Sequence, residues 1–129
     1  MDLKSIIFVG LGSFFGGSLR YVLATVMDRN SSGVFPWSIL LINSLGSFLI
    51  GVAAVVFSQA VLGRDSVWPL FVSVGMLGGF TTFSTFSLQT LRLAQDGHLA
   101  MAFFNALGNV SLCLLLVYLG LKLANCFVD

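Results

Sequence analysis

Residues 75–87 read GMLGGFTTFSTFS, a run of glycine, hydroxyl and phenyl side chains inside an otherwise apolar part of the chain. Adjacent glycines and β-branched residues disfavour a continuous helix, and hydroxyls offer the backbone alternative hydrogen bonds. The run therefore predicts a helix broken at mid-membrane depth, which channels and transporters use as an ion site. The alternative is a glycine-rich packing face on an intact helix, with Ser and Thr bonding back onto it.

The composition places the chain in a membrane. Of its 129 residues, 57% are hydrophobic and 9% are charged, which leaves too little polar surface for a soluble domain of this size. Four apolar stretches are long enough to span a bilayer, at residues 5–27, 36–60, 67–92 and 99–124. We therefore expect one all-α, four-helix transmembrane domain. The net charge of +1 argues against a nucleic-acid partner.

The six basic residues divide evenly between the two membrane faces, with Lys4, Arg64 and Lys122 on one and Arg29, Arg92 and Arg20 on the other. Orientation normally follows an excess of Lys and Arg on the cytoplasmic side. Because this chain has no excess, copies can insert in both orientations, and an antiparallel homodimer is possible. The alternative is that three basic residues fall on each face by chance, without any meaning for the orientation of the chain.

A few polar residues lie inside the spans, where each needs a partner. Asn43 in the second span either lines a pathway or bonds to another helix. The fourth span carries Asn105, Asn109 and Cys113 at four-residue spacing, and this stripe likewise lines a pathway or joins helices. Arg20, late in the first span, either extends to the interface or attracts anions to a vestibule.

Phe83 and Phe86 are three residues apart and therefore share one helical face. A phenyl ring has a positive edge, so two rings presented edge-on can hold a small anion without a fixed charge. Core packing is the alternative.

Acidic residues are missing from the four stretches. All five aspartates fall at chain ends or in loops, there is no glutamate, and His98 is in a loop. A proton-coupled antiporter needs an ionisable group within the membrane, so passive conduction is favoured. A nucleophile, a base and an orienting group cannot be assembled from these residues, so we do not expect an enzyme.

Three motifs, GGSLRY at 16–21, NSLGSF at 43–48 and GGFTTFSTFS at 78–87, resemble those of the prokaryotic fluoride channels called Fluc or CrcB. The similarity in order, spacing and length covers nearly the whole chain. It implies a dual-topology, antiparallel homodimer in the prokaryotic inner membrane, with two pores that export fluoride passively. It also implies a structural sodium ion as cofactor, with lipid, fluoride and a second copy as partners.

The resemblance also implies roles for individual residues. The backbone carbonyls of Gly78 and Thr81 from both copies would hold the sodium ion. The fluoride pathway would be lined by Asn43, Phe83 and Phe86, with Ser84 and Thr85 beside it, and the Asn105, Asn109 and Cys113 stripe and Arg20 are further candidates.

The chain departs from the family pattern in two places. Ser38-Ile39 replaces a Gly-Thr pair, so a threonine hydroxyl four residues before Asn43 is missing. Cys113 takes the place of a serine, and an alignment on Ser111 instead would be two residues out of step with the stripe. Both departures concern polar side chains along the implied fluoride pathway and not the fold.

Two other functions fit four short spans. A small multidrug-type exporter also has four helices and dual topology, but the missing membrane carboxylate disfavours it. A non-transporting membrane assembly factor is the third possibility.

Overall fold

A computed structural model describes residues 2–59 and 66–128, and these residues are almost entirely helical. The elements are α1 (Leu3–Asn30), α2 (Trp37–Gln59), a π-helical segment (Leu70–Leu77), α3 (Gly78–Phe80), α4 (Phe83–Gln95) and α5 (Leu99–Val128). Arg64 from the charge count, the predicted span end at residue 60, and two of the aspartates, Asp65 and Asp129, lie outside the described residues.

Four helical stretches among the described residues are long and apolar enough to cross a membrane, namely Leu3–Asn30, Trp37–Gln59, Leu70–Gln95 and Leu99–Phe127. The predicted number and order of spans are therefore confirmed. The first span begins at Leu3, before the predicted start at residue 5, and directly after Asp2, which caps the helix by accepting a hydrogen bond of 3.0 Å from the Ser5 N–H. The π-helical segment begins directly after Pro69, which provides no backbone donor.

The central element of the fold is α2. It packs along α5 and contributes more buried residues than any other element: Ser38, Ile39, Leu40, Ile42, Asn43, Ser44, Gly46, Gly51, Ala53 and Val55. The outer surfaces of α1 and α5 expose many large apolar side chains, as lipid-facing or partner-facing helices do.

The third span changes packing partner partway along its length. Its first limb, which we define as residues 70–80, packs against α1, whereas α4 packs against α5. Two extended residues separate these limbs: Thr81 has φ −85° and ψ 157°, and Thr82 has φ −152° and ψ 119°. Among the described residues α1 makes no contact with α4, so each limb belongs to a different helix pair.

The contact between α1 and the first limb depends on glycine. A Cβ placed on Gly16 would overlap the carbonyl oxygen of Met76. The two backbones therefore touch directly, as small residues allow in membrane helix pairs.

A tight turn joins α4 to α5. Gly97 has a φ of +84°, its N–H donates to the Ala94 carbonyl at 3.2 Å, and the His98 N–H donates to the Leu93 carbonyl at 2.8 Å. This pair of bonds is the Schellman arrangement, which needs a left-handed residue after the helix end. It closes α4 and starts α5 within three residues.

We predict that Gly16→Ala lowers the free energy of unfolding by about 1–3 kcal/mol, since the new methyl group forces the two backbones apart. Thermal unfolding in detergent measures the effect. Gly10→Ala is the matched control, because a Cβ there meets nothing within 4 Å. Equal stability of the two variants would contradict the proposed tight contact.

Candidate functional site

The amide of Asn43 holds the backbone of Thr82 at the interruption of the third span. Its Oδ1 accepts from the Thr82 N–H at 2.8 Å, and its Nδ2 donates to the Thr82 carbonyl at 3.1 Å. An extended residue between two helices has lost its helical partners, and one side chain replaces both. Asn43 is 8% exposed, so these bonds are made in the interior.

The same region releases two carbonyl groups from helical bonding. In an unbroken helix the Gly78 carbonyl would bond to the Thr82 N–H and the Thr81 carbonyl to the Thr85 N–H. Here the Thr82 N–H donates to Asn43, and the Thr85 N–H donates to the Thr82 hydroxyl at 3.2 Å. The two carbonyls predicted to face sodium are therefore among those whose usual helical donors are engaged elsewhere.

Arg20 bonds to the backbone of the first limb. Its Nε donates to the Gly79 carbonyl at 3.1 Å, and the side chain is half-buried. The helical partner of that carbonyl would have been Phe83, which lies beyond the interruption. A guanidinium at the end of a helix also interacts favourably with the negative end of its dipole. Arg20 thus lies against the interrupted segment, with its Nε held by a main-chain carbonyl.

A run of hydrogen bonds continues from Asn43 along α5 to α4. Asn43 Nδ2 donates to Asn109 Oδ1 at 3.1 Å, and Asn109 Nδ2 donates to both the carbonyl and Oδ1 of Asn105, each at 3.1 Å. Asn105 Nδ2 then donates to the Thr90 hydroxyl, which donates to the Phe86 carbonyl, each at 2.8 Å. Counting the bond from Asn43 to the Thr82 carbonyl, Asn43 and Asn109 each donate to two acceptors in the protein.

Hydroxyl groups surround the first turn of α4. The Thr82 hydroxyl caps the helix and lies 3.1 Å from the Thr85 hydroxyl, to which it donates, and 3.2 Å from the Ser84 hydroxyl. Because Thr85 accepts this bond, its own proton stays available to another acceptor.

A cavity of about 510 Å³ opens at the interruption. Its lining residues are Asn43, Gly46, Ser47, Ile50, Ser73, Leu77, Gly78, Thr81, Thr82, Phe83, Phe86, Asn109, Val110, Cys113 and Leu114. None of these described residues is charged. The wall therefore combines small polar groups with aromatic and aliphatic surface.

The two phenylalanines differ in their surroundings. Their ring centroids are 5.2 Å apart and the planes are tilted by 61°, so the edge of one ring meets the other. Phe86 is 7% exposed, whereas Phe83 is 74% exposed. One ring is thus fixed in the wall, and the other projects from the chain.

The structure brings most of the predicted site residues together. The cavity wall contains Asn43, Phe83, Phe86, Asn109, Cys113, Gly78 and Thr81, whereas Ser84, Thr85, Asn105 and Arg20 lie outside it. Of the two possible alignments of α5, the one using Cys113 agrees with the cavity, because Ser111 is exposed and lines a different hollow. Ile39, at the position of the missing threonine, is buried in the interior.

Two participants were not predicted from the sequence. Thr90 ends the hydrogen-bond run, and Thr82 supplies both the backbone pair held by Asn43 and the cap of α4. The spacing of Thr90, four residues after Phe86, was a signal for its bond to that carbonyl. Its pairing with Asn105 depends on how two helices face each other.

Four apolar spans around an uncharged cavity at a helix interruption define a multi-pass membrane protein with a candidate ion site. Residues 7–121 match the family described as "CrcB-like protein, Camphor Resistance (CrcB)". The chain belongs to this family.

Relatives in several bacteria are similar over nearly their full length. A protein of Paramagnetospirillum magneticum named "Fluoride-specific ion channel FluC" is 54% identical over 115 residues, which cover 87% of this chain and 88% of the relative. Proteins of the same name from Shewanella pealeana and Thermus thermophilus are 42% and 41% identical, covering 94% and 99% of this chain and 96% and 99% of their own lengths.

We predict that Asn43→Ala destabilises the protein by about 1–3 kcal/mol for each buried group left unpaired, because the N–H and carbonyl of Thr82 both lose their partner. Thermal unfolding and hydrogen exchange at the Thr82 amide report the loss. Ser47→Ala is the control, since Ser47 lies one turn later and lines the same cavity. Unchanged exchange at Thr82 would refute the holding role of Asn43.

Proposed function

We propose that this protein is a passive fluoride channel, built from two antiparallel copies with a pore on each side of the dimer. The observation that carries the proposal is the uncharged cavity at the interruption, with Phe83 and Phe86 in its wall. The printed name of the relatives, "Fluoride-specific ion channel FluC", supports fluoride as the ion. It also argues against the exporter, assembly-factor and enzyme alternatives.

The local electrostatics suit a small anion without trapping it. The N-terminus of α4 begins at Phe83, so the positive end of its dipole lies beside the two rings. Ring edges add weak positive potential. A selective pore must replace the water around fluoride yet release the ion, and a fixed positive charge in the wall would oppose release.

The second copy completes the site. Phe83 is 74% exposed in one chain, which is unusual for a ring assigned to a pore wall. An antiparallel partner packed on this face would cover Phe83 and enclose the cavity. The even division of basic residues between the two faces supports insertion in both orientations.

The sequence left the asparagines either lining a pathway or joining helices, and their hydrogen bonds favour the second role. Asn43 and Asn109 spend both N–H groups on protein acceptors, so they shape the pathway by holding backbone and helices in place. We assign the remaining contacts with fluoride in the cavity to the rings, and place the Thr85 hydroxyl, whose proton is available, beside the cavity wall. Ser84, Cys113 and Arg20 remain candidates along the approach to the pore.

Export needs no coupled ion in this proposal. The described aspartates, Asp2, Asp28 and Asp96, lie at or near helix ends, and the sequence contains no glutamate. A membrane potential that is negative inside drives an anion outward through a passive conduit.

A sodium ion would fit the other end of the interruption. The carbonyls of Gly78 and Thr81 lack their helical donors, and carbonyl oxygens suit a hard cation. The intervening Gly79 carbonyl is already bonded to Arg20. A sodium ion bound between two copies would be coordinated by these carbonyl oxygens and would connect the interrupted segments of the two chains.

We predict rapid fluoride efflux from proteoliposomes when a potassium ionophore sets the potential, recorded with a fluoride electrode. Phe83→Ile should lower this efflux about tenfold through loss of the ring edge. Phe103→Ile should leave it unchanged, because Phe103 is 62% exposed and outside the cavity wall. A flat trace for the unmodified protein would remove the channel proposal.

Sodium should stabilise the protein by about 2.7 kcal/mol at 100 times its dissociation constant, relative to sodium-free buffer. Thermal unfolding in sodium and in N-methylglucamine measures the difference. Thr81→Val keeps the carbonyl and removes only the hydroxyl, which bonds to the Leu77 carbonyl at 3.1 Å, so it should retain the sodium effect. Identical unfolding in both buffers would rule out the cation site.

A further inference from the structure

In the hydrogen-bond run that starts at Asn43, the last side chain is Thr90, which lies outside the cavity wall and donates to the carbonyl of Phe86 in that wall. We propose that Thr90 is a positioning residue for Phe86, whose hydroxyl locks the rotation of α4 against α5 and so sets the angle of the selective ring. This inference rests on the proposed conduction of fluoride. The sequence spacing indicates the bond from Thr90 to the Phe86 carbonyl but not the contact between Thr90 and Asn105, which joins two helices.

The direction of the bonds requires a group like Thr90 at this point. Asn109 donates to Asn105 Oδ1, so the amide orientation of Asn105 is fixed and its Nδ2 must find an acceptor. The Thr90 hydroxyl accepts that bond at 2.8 Å and passes its own proton to the Phe86 carbonyl at 2.8 Å. A hydroxyl both accepts and donates, whereas an aliphatic side chain of the same shape does neither.

Burial makes the bond costly to lose. Asn105 is 1% exposed, so an amide N–H without a partner there cannot turn to solvent. If Asn105 rotates to find another acceptor, Asn109 loses the oxygen that it donates to. A shift of Asn109 would in turn weaken its bond with Asn43, which holds Thr82 at the interruption.

The bond acts on Phe86 through the backbone. The Phe86 carbonyl receives the Thr90 proton, and the Phe86 ring is in the cavity wall, 5.2 Å from Phe83. Recognition by ring edges depends on the angle at which they are presented. Loss of the Thr90 hydroxyl should therefore change discrimination between fluoride and chloride as well as the rate.

The test compares three variants in proteoliposomes, with fluoride and chloride efflux recorded for each. Thr90→Val keeps the shape and removes both bonds, and should lower fluoride efflux about tenfold and shift the fluoride-to-chloride ratio toward chloride. Thr90→Ser keeps the hydroxyl and should restore both values to within about twofold. Ser87→Ala is the matched control: Ser87 donates to the Phe83 carbonyl at 2.9 Å on the same helix but is exposed.

A double variant separates positioning from general loss of stability. If Thr90 and Asn105 act through one contact, Thr90→Val combined with Asn105→Leu should reduce efflux no further than Asn105→Leu alone. Additive losses would contradict the coupling. If Thr90→Val does not fold, Thr90→Cys, a poor donor of similar size, takes its place in the same comparison.

The outcomes are distinguishable from failure of the channel itself. Absence of fluoride efflux from the unmodified protein would overturn the proposed function. Efflux by the unmodified protein, with the same rate and ion ratio in Thr90→Val, would overturn the role of Thr90 alone.

Discussion

One side-chain amide bonds both the backbone N–H and the backbone carbonyl of Thr82, an extended residue between two helices. In hydrocarbon an unpaired N–H or carbonyl costs several kcal/mol, so an extended residue within a span must find both partners in the protein. Asn43 provides both for Thr82. The released carbonyls of Gly78 and Thr81, the new start of the helix at Phe83 and the change of packing partner all depend on this pair of bonds.

Much of the fold follows from the order of residues along the chain. The four spans could be predicted because apolar length is a one-dimensional property, and the glycine–threonine run predicts a weak helix where Thr81 and Thr82 are extended. The π-helical segment before it was not anticipated. This segment packs against α1, which is distant in the chain, and a contact of that kind is not visible in the local residue pattern.

The candidate site was only partly predictable. Four-residue spacing placed Asn109 and Cys113 on one face, and both reach the cavity. Spacing also put Phe83 and Phe86 on one face, yet one ring is exposed and the other buried, because burial depends on where the neighbouring helix ends. Whether an amide donor is available to an ion depends on its partner in space, so the spacing of the asparagine stripe could not decide between lining a pathway and joining helices; Asn109 and Asn105 do bond within the protein.

The exchange of partners along the third span has a consequence for biogenesis. After the interruption, α4 contacts α5 across a three-residue turn, so these two helices can associate as a hairpin as soon as both are made. The first limb instead packs against α1, which ends some forty residues earlier in the chain. The glycines of α1 that contact this limb therefore stay uncovered until the limb has been synthesised. The third span thus combines a long-range contact and a local one, on either side of the two extended residues Thr81 and Thr82.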